Sequence, residues 1–90
     1  MEITIRLSDD KLMENLGSIV KLEVPKNITI RDVLELLQSR YTDLYIGDLA
    51  LNRRAFLVLV DGVEISTYQN LETKLTQPCE ILIIPVIHGG

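Results

Sequence analysis

The sequence predicts an α+β domain in which one main helix crosses a small mixed sheet. Three observations carry that reading. MEITIRL at the start alternates apolar and polar residues with the period of a half-buried strand. TIRDVLELLQSRY places Ile30, Val33, Leu34, Leu37 and Tyr41 at helical spacing. FLVLV and ILII, late in the chain, are dense apolar runs of strand length. Strands, a helix and further strands in that order form one layered domain around one core, and 90 residues are enough for a single core only.

In chain order, Ile3, Ile5 and Leu7 share one face of the first strand, with Glu2, Thr4 and Arg6 opposite. Ser8 or Asp9 can cap a short helix carrying Leu12, Met13 and Leu16, and Gly17 supplies a left-handed stop. Val20, Leu22 and Val24 resume the alternation until Pro25, and two strands this close in sequence are expected to pair antiparallel. Thr29 and Asp32 form a weak capping box ahead of a helix over residues 30–40. Residues 42–54 show no clean period, and Gly47 and Asn52 suggest loop with a short helical turn. Phe56 to Val60 reads as a strand, Asp61-Gly62 as a tight turn, and Val63 to Ile65 as the returning strand. Residues 66–78 read as irregular, pinned to the core by Leu71 and Leu75, and Glu80 to Ile84 as the final strand. Pro85 lacks an amide donor and is placed with residues 86–90 in a flexible tail, 85–90, of a single domain spanning 1–90.

FLVLV and ILII raise a burial problem, because strands apolar at every position need both faces covered and one helix covers only one. Either residues 42–55 and 66–78 fold over the second face, or a partner does. The strand residues assigned to a partner surface are Phe56, Val58, Val60, Ile81 and Ile83, and the same apolar face could join two copies of the chain in a homodimer.

Composition narrows the function classes. A net charge of −4 with no basic stripe disfavours direct nucleic-acid binding. The N-terminus shows neither a signal peptide nor a membrane span, and with the single cysteine the expected location is the cytoplasm. No ligand set for a metal, no glycine-rich phosphate loop and no serine elbow is present, so no catalytic residue, bound cofactor or metal is assigned. Cys79 reads either as a reactive thiol or, more commonly for a lone cysteine, as a small buried hydrophobe. His88, the single histidine, either touches a partner or is a solvated tail residue.

The remaining feature is PVIHGG at residues 85–90. A terminal carboxylate is a poor electrophile, but adenylation by ATP turns it into an acyl donor. Threading backbone into a narrow catalytic channel favours residues without side chains, a demand that Gly89 and Gly90 meet.

CEILIIPVIHGG with LVDG upstream resembles the C-terminal half of the ubiquitin-like sulfur carriers (MoaD/ThiS-like), whose fold is the β-grasp. IRLSDDKLMENLG is similar to their first strand and short helix, TIRDVLELLQSRY to their main helix, and FLVLVDG to their third strand and turn. The resemblance implies a carrier and not an enzyme. Gly90 would be adenylated by a ubiquitin-activating-like enzyme and become a thiocarboxylate, Gly89 would give clearance, and Pro85, Val86, Ile87 and His88 would line the partner's channel. ATP would be used by that partner. In appearance the chain is closest to the molybdopterin synthase small subunit, which implies the synthase large subunit as a second partner. Val86, His88 and Gln77-Pro78-Cys79 depart from that branch, and the His-Gly-Gly ending also resembles the branch serving tRNA thiolation and protein conjugation. A protein modifier, a carrier for tRNA thiolation or thiamine synthesis, and a non-covalent interaction module are the alternatives.

Overall fold

The computed structural model describes residues 1–8, 17–40 and 56–85. The expected helix around Leu12, Met13 and Leu16, the segment 42–54, Tyr41 and residues 86–90 lie outside the described residues.

Strand β1 (Glu2–Leu7) buries Ile3, Ile5 and Leu7 and exposes Glu2 and Arg6. Strand β2 (Ile19–Glu23) pairs antiparallel with it, setting Val20 opposite Ile5 and Leu22 opposite Ile3, so the apolar sets of both strands share a face. Gly17, ahead of β2, has φ +80°, the left-handed conformation expected of it.

Helix α1 (Ile30–Arg40) starts where Thr29 Oγ1 accepts a hydrogen bond from the Asp32 amide at 3.1 Å, the cap read from the sequence. Ile30, Val33, Leu34 and Leu37 are buried, while Asp32 in the first turn and Arg40 in the last complement the helix dipole. Immediately before α1, β3 (Ile28–Thr29) pairs antiparallel with β6 (Lys74–Leu75) in a second sheet. Neither of these two-residue strands is long enough to show a period.

Strand β4 (Phe56–Val60) turns through Asp61 and Gly62 into β5 (Val63–Glu64). Both turn residues have positive φ, 48° and 86°, and Val60 faces Val63, as the twist-compatible two-residue hairpin requires. The returning strand stops earlier than expected. Ile65 belongs instead to a 3₁₀ turn (Ile65–Thr67) capped by the Glu64 carboxylate, which accepts from the Ser66 amide. A second 3₁₀ turn (Asn70–Glu72) and β6 organise the stretch expected to be irregular. Leu75 is buried and Leu71 packs against the core, as expected.

Strand β7 (Glu80–Pro85) is the centre of the main sheet, whose order is β2-β1-β7-β4-β5. It runs parallel to β1 and antiparallel to β4, which makes the sheet mixed. One apolar cluster joins the inner face of this sheet to α1, with Ile3, Ile5, Ile30, Leu37, Ile81 and Ile83 fully buried. Each such side chain contributes about 1.5–3 kcal/mol of burial free energy.

Candidate functional site: the end of the central strand and its outer face

The site is built around β7 because that strand leads into residues 86–90. It is held on both sides: Ile83 lies beside Leu7 of β1, and Ile84 and Pro85 lie opposite Leu57 and Phe56 of β4. Pro85 is therefore a strand residue. Its assignment to the tail is corrected: ending the supply of amide donors does not end the strand, because Pro85 still faces Phe56 across the sheet. Val86, Ile87, His88, Gly89 and Gly90 lie outside the described residues.

The partner-facing assignment of Phe56, Val58, Val60, Ile81 and Ile83 is also corrected. All five are buried in the core beneath α1. The error is one of parity: in strands apolar at every position the alternation is silent, and shifting by one residue exchanges the two faces. The outer face carries Leu57, Leu59, Leu82 and Ile84 instead. Leu57 is 42% exposed and the other three are half-buried. Their register sets Leu57 opposite Ile84 and Leu59 opposite Leu82, so the four form one contiguous apolar strip on β4 and β7. An ion pair between Arg6 and Glu80 at 2.9 Å flanks it on the β1 side. The Asp61-Gly62 turn fixes only which residues share a face, not which face is the core. A two-residue hairpin pairs Val60 with Val63, and tying that pair to the core side puts Phe56 and Val58 there too.

Residues 66–78 do not cover this strip. Leu75 is part of the core under α1, and Arg31 of α1 donates to Glu72 at 2.8 Å, which places the segment on the helix side.

At the other end of β7, Cys79 is half-buried and packs against the core. Burial, and secondarily the Asp61 carboxylate, push its thiol pKa up, so the thiol is a weaker nucleophile than a free cysteine. It borders a pocket of about 200 Å³ with Val60 and Leu75 below and Tyr68 and Lys74 at the rim. That is smaller than the roughly 300–1,000 Å³ of ordinary ligand sites. Among the described residues no group of three or more His, Cys, Asp and Glu side chains could hold a metal ion. No described helix is long and apolar enough to cross a membrane.

A mixed sheet with a central last strand, one helix on its inner face and an apolar strip on its outer face defines a ubiquitin-like β-grasp protein. The ThiS family model matches residues 10–90, and the chain belongs to that family of ubiquitin-like sulfur carriers. No curated protein matches the sequence. Among solved structures, small archaeal modifier protein 1 from Methanosarcina acetivorans is 25% identical with a TM-score of 0.72, covering 99% of this chain and 96% of that one. Small archaeal modifier protein 1 from Haloferax volcanii is 22% identical with a TM-score of 0.69 over all of both chains. A Pyrococcus furiosus protein provisionally assigned as molybdopterin converting factor subunit 1 is 12% identical with a TM-score of 0.69, covering 97% of this chain and 99% of that one. The last two likenesses are of fold.

Proposed function

We propose that the chain is a sulfur carrier whose reacting group is the carboxyl of Gly90. A ubiquitin-activating-like enzyme joins that carboxyl to AMP, releasing pyrophosphate from ATP. A hydrosulfide ion then attacks the acyl carbon, the C–O bond to AMP breaks with its electron pair leaving on AMP, and a thiocarboxylate remains. The acceptor we assign is the pterin precursor held by the large subunit of molybdopterin synthase, with this chain as the small subunit. Catalysis belongs to the partners.

The observation that carries the reading is the family match running through Gly89 and Gly90. The geometry supports it. The segment that must reach into a partner starts from the best-anchored strand of the sheet, beside an apolar strip suited to docking. Incubation with the activating enzyme, ATP and a sulfur donor is expected to replace one oxygen by sulfur in the intact mass. Deleting Gly90 abolishes that change without unfolding the domain. An unchanged mass in the full-length chain overturns the carrier reading. Sulfur transfer to the pterin precursor on adding the large subunit distinguishes this acceptor from tRNA thiolation and thiamine synthesis.

A second reading is favoured by the 25% identity to a small archaeal modifier protein. The activated Gly90 would then acylate a lysine amine, forming an isopeptide bond. Conjugates in cell extract that survive thiol and denaturant and require Gly90 establish it.

A further inference from the structure

Ser8 makes two contacts with one atom. Its amide donates to the Ile83 carbonyl at 3.1 Å and its hydroxyl donates to the same oxygen at 3.0 Å. The position of that carbonyl gives the contact its meaning. Along β7 the backbone groups alternate sides: the Cys79 carbonyl accepts from Thr4 of β1, the Glu80 carbonyl accepts from Asp61 after β4, and the Ile83 carbonyl accepts from Ser8 after β1. Odd-numbered residues thus address β1 and even-numbered ones β4. The next amide due to face β1 belongs to residue 85, a proline with no hydrogen to give. Among the described residues of β7, amide donation toward β1 therefore ends at Ile83, and Ser8 places both of its donors on that residue's carbonyl.

On the β4 side the strand continues two residues further, with Ile84 opposite Leu57 and Pro85 opposite Phe56. Proline also confines the residue before it to extended backbone, which keeps Ile84 in strand geometry. The last described residues of β7 are thus held by one serine on one side and a short stretch of β4 on the other.

We propose that Ser8 is a positioning residue that holds the described end of β7, Ile83 to Pro85, in place as the root from which residues 86–90 follow. This role presupposes the carrier chemistry proposed above. A channel that accepts residues 86–90 gains from receiving them on an already ordered root. Each residue that must instead be ordered during binding weakens association by roughly 5- to 30-fold. Ser8 touches no reacting atom and acts through Ile83.

The test compares Ser8→Ala with Ser8→Thr, which keeps the hydroxyl. Amide hydrogen exchange at Ile84 is expected to speed up roughly 2- to 10-fold in Ser8→Ala, the range for losing one hydrogen bond. Exchange at Ile5 and Leu82 stays as in the wild type, and Ser8→Thr restores Ile84. With the activating enzyme and ATP, formation of the acyl-adenylate shows a KM raised by roughly the same factor at unchanged kcat. Unchanged exchange at Ile84, or a rise spread evenly over the core amides, overturns the proposal, as does an unchanged KM alongside faster exchange. A wild-type chain that forms no acyl-adenylate overturns the carrier reading and this role with it, and is told apart because wild type and variant fail alike.

Discussion

At the scale of single residues, two positions bear conformations or protonation states that their surroundings impose. Gly62 has φ +86°, and a β-carbon there would meet nothing within 4 Å. Gly62→Ala therefore isolates the backbone penalty, expected at about 1–2 kcal/mol. Thermal unfolding should show it as a drop of roughly 4–8 °C per kcal/mol for a chain of this size. Cys79 is the second. Because its folded pKa is raised, the native state holds the thiol proton more tightly than the unfolded chain does. The resulting stability is fully present below the unfolded thiol's pKa of about 8.5 and is lost as pH rises through the folded value. Urea midpoints should fall over that alkaline window in the wild type, and the fall should shrink in Cys79→Ala. Alkylation of the folded protein by iodoacetamide at pH 7.5 should be slower than that of the denatured chain.

At the scale of elements, the face parity of β4 and β7 is directly testable. Ile83→Ala removes a fully buried side chain and should cost about 2–5 kcal/mol in chemical denaturation. Leu57→Lys, one strand position from Val58 but on the opposite face, should stay within about 0.5 kcal/mol while weakening partner binding. Thr29→Ala should cost about 1 kcal/mol by leaving the Asp32 amide without its cap. These elements also show where the sequence was informative. Helix α1 was readable because its buried positions Ile30, Val33, Leu34 and Leu37 recur at helical spacing between polar neighbours. The Asp61-Gly62 turn was readable because few residues tolerate positive φ twice in succession. The outward set Leu57, Leu59, Leu82 and Ile84 was not, because both faces of those strands are apolar and parity then depends on contacts distant in sequence. The β3–β6 pair escaped for another reason: its strands are two residues long, and their pairing joins positions on either side of α1 and β4.

At the scale of the whole molecule, the described residues share one apolar cluster, and residues 86–90 follow that cluster's central strand in sequence. The carrier and modifier readings therefore make a common prediction. Removing residues 86–90 should leave the denaturation midpoint unchanged while eliminating every activated product, measured on the same preparation by urea titration and intact mass. The placement of β7 between a parallel β1 and an antiparallel β4 carries a mechanical consequence as well. Tension applied through a covalent bond at Gly90 would be directed along β7 and would load the ladders on both flanks in shear, so their hydrogen bonds would resist together instead of unzipping one at a time. A molecule that hands over its cargo, or stays tethered by it, can be tugged at that end without coming apart.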